Sequence, residues 1–142
     1  MRTLLIFLFS LWTVSVFGQI PTEWTDLSKV RFVSAVDFST GNVYNLPRFP
    51  SAIKRLDGKE IEISGYMLPL DMEGDTYAFS RYPYAACFFC GGAGLESVMS
   101  IWFAKPDQRF RLDQFVKLRG VLRLQDKGGD LIYLLDQAKE VE

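Results

Sequence analysis

The stretch KEIEISGYMLP, residues 59–69, decides the fold. Polar and apolar residues alternate from Glu60 to Ser64, Gly65 follows, and a further apolar run ends at Pro69. Alternation with a period of two is typical of a strand that buries one face, and a glycine inside such a strand indicates a bulge or a sharp coil. We therefore predict a long, bent strand here, as the first strand of the main domain.

Four further strands are predicted downstream of this one. Their segments alternate between polar and apolar residues or are rich in bulky β-formers, and turn residues separate them. They cover residues 76–81, 98–104, 116–124 and 131–135. Gly128 and Gly129 form a predicted hairpin turn between the last two.

Five short strands, all expected to be antiparallel, fit an all-β fold with minor helix: a small OB-like Greek-key barrel. A β-sandwich fragment or an SH3-like barrel would show a similar strand pattern and stays open as an alternative. OB folds usually carry a helix between the third and fourth strands. Residues 105–114 are too short and broken for more than one helical turn, so we expect that helix to be missing.

The first 18 residues predict export. A single arginine, an apolar run and the small residue Gly18 follow one another, which is the pattern of a secretory signal peptide. A membrane anchor is the alternative, but the apolar run is shorter than the roughly 20 residues that span a bilayer. We expect cleavage after Gly18, a periplasmic or secreted protein, and no stable membrane span after cleavage.

The mature chain divides into two predicted parts. Residues 19–57 are an irregular N-terminal extension that packs on the barrel, and residues 58–142 form the barrel domain. Within the extension, residues 24–38 fit a helix or a strand equally well, Gly41 and Asn42 predict a turn, and residues 51–56 predict a short helical turn.

Composition argues against several functions. The chain has 142 residues, with 16 lysines and arginines, 17 acids, two cysteines and no histidine. A near-neutral charge lacks the signature of a nucleic-acid binder. Without histidine, the chain cannot supply a Ser-His-Asp triad, a Cys-His dyad or an imidazole acid-base catalyst. We assign no catalytic residue and favour a binding domain over an enzyme.

The loop YPYAACFFCGGAG, residues 82–94, carries the chemistry. Cys87 and Cys90 form a Cys-x-x-Cys-Gly motif, for which a soft-metal site such as zinc, a disulfide, a redox pair and two inert thiols all stay open. A zinc site needs two further ligands. These would come from water, from the same turn of a second copy in a homodimer, or from carboxylates: Asp71, Asp75 and Glu96.

Aromatic residues cluster around this loop in the sequence. Four of them are candidate contacts with a partner such as an envelope protein: Tyr82, Tyr84, Phe88 and Phe89. For the strand residues Phe79, Ile101 and Phe103 we expect core packing instead, because apolar strand residues are mostly buried.

Three stretches resemble the secreted bacterial DUF3299 family: LDGKEI with GYMLPL at residues 56–70, YPYAAC at 82–87 and ESV at 96–98. The likeness covers residues 49–142 and implies an exported OB-type domain. Some members are encoded beside membrane export systems associated with zinc supply. Many carry a Cys-x-His element at the loop. Only Cys87 matches that element directly, and Cys90 would replace the histidine as second ligand.

The leading hypothesis is an exported, non-enzymatic binding domain whose Cys87/Cys90 loop binds zinc or is held by a disulfide. The alternatives are a periplasmic thiol-disulfide redox protein and a protein-interaction module with a structural disulfide.

Overall fold

The computed structural model of the chain describes residues 18–71, 76–127 and 131–142. The elements in chain order are β1 (Ile20–Pro21), α1 (Trp24–Leu27), β2 (Arg31–Val36), β3 (Val43–Arg48), α2 (Ser51–Lys54), β4 (Glu60–Pro69), β5 (Tyr77–Ser80), β6 (Val98–Phe103), β7 (Gln114–Leu124) and β8 (Tyr133–Val141). The predicted signal peptide, apart from Gly18, and the predicted glycine turn lie outside the described residues. Within those ranges no helix is long and apolar enough to cross a membrane.

The main domain is a closed five-stranded barrel. Its strands follow the order β4-β5-β6-β8-β7, and β7 pairs again with β4 to close the sheet. Within the ring, the ten-residue β4 pairs with β5 through residues 66–69 and with β7 through residues 60–67. Outside the ring, the short β1 pairs parallel with residues 61–62 of β4. This order, with the chain passing from β6 to β7 before β8 fills the gap, is that of an OB-type Greek key. The predicted all-β OB-like fold is confirmed.

The prediction that all five strands are antiparallel is wrong at one pair, because β6 and β8 run parallel. The reason is parity. Every other pair in the ring is antiparallel, and strand direction cannot alternate all the way round a closed ring with an odd number of strands.

The final strand is longer than predicted and runs to Val141. Gln137 adopts a φ of 54°, and the pairing register between β7 and β8 shifts opposite Gly120. This bulge allows the polar end of β8 to continue along β7, although the residues there lack the apolar run that marked its beginning.

Gly65 allows β4 to lie close to β5. A Cβ atom at this position would lie 2.6 Å from the backbone oxygen of Ser80 and 3.0 Å from Cζ of Phe79. Because real Cβ atoms do not approach a backbone oxygen so closely, only glycine lets β4 pass this near to β5. The predicted long first strand is therefore present as β4. Its pairing with β7 continues through Gly65 without a register shift, so the glycine serves close packing and not the predicted bulge.

The N-terminal segment contacts the barrel through the parallel pairing of β1 with β4 and through two hydrogen bonds of buried rings. The Trp24 indole Nε1 donates to the carbonyl oxygen of Ser64 at 2.8 Å, and its ring lies 5.8 Å from that of Phe79. The Tyr133 hydroxyl donates to the carbonyl oxygen of Leu27 at 2.8 Å. Both Trp24 and Leu27 belong to the main hydrophobic core.

Strands β2 and β3 form a separate two-stranded antiparallel sheet. Its turn contains Gly41 at a φ of 72°. The Asp37 carboxylate accepts hydrogen bonds from the Ser39 amide at 2.8 Å and the Ser39 hydroxyl at 2.6 Å. These bonds stabilise the ionised form and lower the pKa of Asp37. The predicted turn at Gly41 and Asn42 is confirmed, and the segment that fitted helix or strand contains one of each.

Candidate functional site

The cysteine loop covers the outer face of the barrel, where it builds a second, smaller core. Cys87 packs with Leu68 of β4, Ala78 of β5 and Val98 of β6, and all four side chains are fully buried. Phe88 and the half-buried Leu131 pack against this cluster. In this position Cys87 acts as a small apolar side chain that joins the loop to three strands.

Two short 3₁₀ turns shape the loop, Tyr84–Ala86 and Phe88–Cys90, and a third, Leu95–Ser97, leads from it into β6. The amides of Cys90 and Gly92 both donate to the carbonyl oxygen of Cys87, at 3.3 and 3.1 Å. A Cβ at Gly92 would lie 2.8 Å from the Ala86 carbonyl oxygen. The glycines after the motif therefore allow the chain to fold back closely against the turn that precedes them.

The two cysteines are both free, with Cys87 buried and Cys90 exposed. The structure therefore contains no disulfide between Cys87 and Cys90, which is the bond that the disulfide interpretation requires. A thiol buried in apolar surroundings and an exposed thiol three residues later differ in access to solvent, reagents and ions. Only Cys90 is open to them without movement of the loop.

The carboxylates considered as additional metal ligands have other neighbours. The Asp71 carboxylate accepts a hydrogen bond from the Thr76 amide at 2.9 Å. The Glu96 carboxylate folds back over Gly94. Asp75 lies outside the described residues. Within residues 18–71, 76–127 and 131–142, no three cysteine, aspartate or glutamate side chains are grouped closely enough to hold a metal ion.

A groove opens beside the cysteine loop on the same outer face, with a volume of about 320 Å³. The lining is mostly apolar and comes from several separate segments of the chain: Leu70, Phe89, Ser100, Trp102, Gln125, Leu131 and Leu134. Leu70 follows β4, and Gln125 and Leu131 flank the connection from β7 to β8. These correspond to the two loops that border the ligand face of OB folds.

Two features of this groove are chemically unusual. Trp102 is 63% exposed although it is a large aromatic residue inside a strand. The side-chain oxygen Oε1 of Gln125 is buried and has no hydrogen-bond partner among the described residues. A buried oxygen without a partner costs about 1–3 kcal/mol, so the groove has both an apolar contact surface and an unused acceptor beside it.

Of the four predicted partner contacts, only Phe89 lines the groove. Tyr82 and Tyr84 are exposed elsewhere on the loop, where the Arg81 guanidinium lies 5.2 Å from the Tyr82 ring centre. Phe88 is half-buried against the small core.

The strand residues expected in the core lie there. Phe79 and Ile101 are buried. Phe103 is half-buried against the main core, where its ring contacts those of Tyr77 and Phe110.

Sequence reasoning missed most of the groove. The outward orientation of Trp102 was predictable, because Trp102 alternates along its strand with the buried Ile101 and must therefore point to the outer face. The places of Gln125, Leu131 and Leu134 were not predictable, since only the closure of the barrel brings them beside Leu70.

A solved structure has the same architecture. It is the crystal structure of a DUF3299 family protein from Pseudomonas aeruginosa PAO1, with a TM-score of 0.53 and 18% sequence identity, covering 88% of this chain and 97% of that chain. The chain has the fold of a DUF3299 family protein. The resemblance inferred from the sequence is thus confirmed at the level of the fold. No protein-family model matches the sequence, and no curated protein matches it.

Proposed function

We propose that this chain is an exported, non-enzymatic binding domain that holds an apolar segment of an envelope protein in the groove beside the cysteine loop. The observation that carries the proposal is the exposed Trp102 in an apolar groove on the ligand face of an OB-type barrel. Large exposed aromatics in concave apolar sites are typical of binding hot spots.

The size and chemistry of the groove favour a few side chains of a peptide over a large cofactor. A volume of about 320 Å³ is at the lower end for small-molecule sites. Among the described residues, no charged side chain lines it. A backbone N–H of the bound segment would supply the donor that Gln125 Oε1 lacks, after a small rotation of that side chain.

The experiment uses peptides selected from a random heptapeptide library on the purified protein, with affinities then measured by calorimetry. We expect selection of apolar, aromatic-rich sequences, and at least tenfold weaker binding by Trp102→Ala, since a buried aromatic contact contributes about 2 kcal/mol or more. Phe115→Ala is the matched control. Phe115 is 61% exposed, much like Trp102, but lies on β7 outside the groove.

Fluorescence gives a second measurement for the same peptides. Trp24 is buried while Trp102 is exposed, so occupation of the groove should shift the emission to shorter wavelength by desolvating Trp102. Peptides that bind Trp102→Ala and the unmodified protein equally would contradict the proposal, as would a selection that enriches no apolar sequence.

A second candidate function is soft-metal binding at Cys87 and Cys90. It is favoured by two free thiols three residues apart in a glycine-rich turn. Two thiolates make half of a tetrahedral zinc site, and the same turn of a second copy would complete it. The buried Cys87 would have to turn outward to take part.

Zinc titration of the reduced protein tests this candidate. A shared site predicts one zinc ion per two chains and an increase in assembly mass on zinc addition, both lost in Cys90→Ser. Unchanged mass and no zinc uptake would rule it out, while leaving peptide binding in the groove unaffected.

Export is proposed from the first 18 residues and has its own test. Mass spectrometry of the protein recovered from the periplasm or medium of an expressing bacterium should give a chain that begins at Gln19. Recovery only from the cytoplasm, with Met1 retained, would contradict export.

A further inference from the structure

The β2–β3 hairpin is an apolar element without a covering partner. It pairs only with itself among the described strands, and several of its apolar side chains are exposed: Phe32, Val33, Val36, Phe38, Val43 and Tyr44. Phe38 at the tip is 95% exposed. An isolated two-stranded hairpin is marginally stable in water, and an exposed apolar edge strand is a surface suited to pairing with another chain.

The open edge of β2 presents the backbone N–H and C=O groups of every second residue. The Asp37 amide donates across the hairpin to the carbonyl oxygen of Asn42 at 2.9 Å. Because alternate residues of a strand direct their N–H and C=O groups to the same side, Arg31, Val33 and Ala35 also bond inward. The intervening residues 32, 34 and 36 direct their backbone groups outward, to the open edge.

The open edge of β3 is a poorer template. Pro47 lies opposite Phe32, and its missing N–H removes a donor from the edge that it faces. The exposed strand able to accept a further strand along its full length is therefore β2.

The sequence RFVSAVD, residues 31–37, is complementary to itself when two copies run antiparallel. With Ser34 opposite Ser34 of the second copy, Arg31 lies opposite the partner's Asp37 and Phe32 opposite the partner's Val36. This register pairs outward-facing residues with outward-facing residues, as an edge-to-edge ladder requires. Moving it by one step of the ladder places Arg31 opposite the partner's Ala35 or the partner's Ser39, and the charge pairing is lost.

We propose that β2 pairs antiparallel with β2 of a second copy of this chain about a two-fold axis at Ser34, which forms a four-stranded sheet in the order β3-β2-β2-β3. The interface is isologous, so each Arg31–Asp37 pair occurs twice. Neither the groove nor the cysteines take part in it.

Charge within one hairpin favours such a partner. Arg31 lies directly opposite Arg48, and like charges directly opposite each other destabilise a strand pair. The partner's Asp37 would place a carboxylate beside this pair of guanidinium groups. Hydrogen bonds from Ser39 hold the pKa of Asp37 low, so the carboxylate is ionised at neutral pH.

Ser34→Pro tests the backbone ladder. The Ser34 amide faces the open edge, so proline removes a donor from the dimer while the ladder inside the hairpin is unchanged. Ser34→Ala is the matched control, because both variants lose the side-chain bond from the Ser34 hydroxyl to Asn45 Oδ1. By sedimentation equilibrium we expect a dimer for the unmodified protein and for Ser34→Ala. Ser34→Pro should weaken dimerisation about tenfold or more.

Ser34→Cys, in a Cys90→Ser background, tests the register directly. Directly opposite residues in a hydrogen-bonded pair have Cα atoms about 5.5 Å apart, within disulfide range. The two introduced thiols, one from each copy, should therefore form an intermolecular disulfide with oxidised glutathione, which is reduced to two glutathione thiols. Asn45→Cys, on β3 of the same hairpin, should not cross-link efficiently.

Three results would overturn the proposal. The first is an unmodified protein that stays monomeric at concentrations on the order of 100 µM, where weak dimers are populated. The second is a dimer that Ser34→Pro leaves intact. The third is a dimer that cross-links as well through residue 45 as through residue 34. Circular dichroism of each variant shows whether the barrel remains folded.

Discussion

Cys87 and Cys90 belong to one motif, yet their surroundings give them different roles. Cys87 is fully buried against Leu68, Ala78 and Val98, while Cys90 is exposed. Replacing the buried sulfur with a hydroxyl places a polar group among apolar side chains, whereas the same change at Cys90 leaves the hydroxyl in water.

Cys87→Ser should therefore destabilise the protein by about 1–3 kcal/mol, and Cys90→Ser by less than about 0.5 kcal/mol. Urea denaturation followed by circular dichroism measures both under reducing conditions. Cys87→Ala separates polarity from size, since it should cost less than serine if the hydroxyl is the main penalty. Equal midpoints for the two serine variants would show that Cys87 is not part of the core that the packing describes.

At the scale of the elements, the close approach of β4 to β5 depends on one missing side chain. A Cβ at Gly65 would meet the Ser80 carbonyl oxygen at 2.6 Å, and the backbone of the neighbouring strand cannot move away without breaking the β4–β5 pairing. Gly65→Ala should destabilise the barrel by about 1–3 kcal/mol. Thermal unfolding measures the effect against Ser64→Ala, whose altered side chain is at the neighbouring position. A stable Gly65→Ala variant would mean that the two strands are less closely packed.

The elements that the sequence predicts well are those whose local pattern and tertiary role agree. The alternation in 60–64 and the glycine at 65 both have their expected place in β4. The polar end of β8 was not predictable in this way, because a bulge and a partner strand hold it in the sheet. The residues at the end of β8 do not themselves indicate the bulge or the partner strand.

The candidate site also contains features that the sequence predicts and features that only the folded barrel creates. The position of the cysteine loop, between the second and third barrel strands, follows from sequence order alone. The groove beside it does not, because Leu70 and Leu134 meet only after the barrel closes. The burial of Cys87 was equally hidden, since a cysteine motif gives no indication of which sulfur faces a core.

At the scale of the whole molecule, an odd number of strands in a closed ring requires a parallel pair. The β4–β5, β5–β6 and β7–β8 pairs are antiparallel, and β7 runs in the direction that makes β4–β7 antiparallel as well. The remaining contact, β6–β8, must then be parallel. The connection from β6 to β7 joins two strands that β8 separates in the ring, and residues 104–113, all of them described, make it without a helix.

Tyr133 links the N-terminal segment to the barrel and gives the whole molecule a measurable pH dependence. Its hydroxyl donates to the Leu27 carbonyl oxygen at 2.8 Å. Burial first, and the charge of Glu96 second, raise its pKa above the usual value near 10. The folded state therefore holds the phenol proton more tightly than the unfolded state. The resulting stability is fully present below about pH 10 and is lost as pH rises further, towards the pKa of the folded state.

The free energy of unfolding, measured in urea from pH 8 to 11.5 (about the range that brackets an unperturbed phenol), should show this loss. Other groups also titrate there, so the quantity to follow is the difference between the unmodified protein and Tyr133→Phe. That difference should be constant at lower pH and then fall by up to about 1.4 kcal/mol per pH unit, the value for one proton. If the Tyr133→Phe difference stays flat across this range, the Tyr133 phenol ionises in the folded state as it does in water, which would contradict its burial against Leu27.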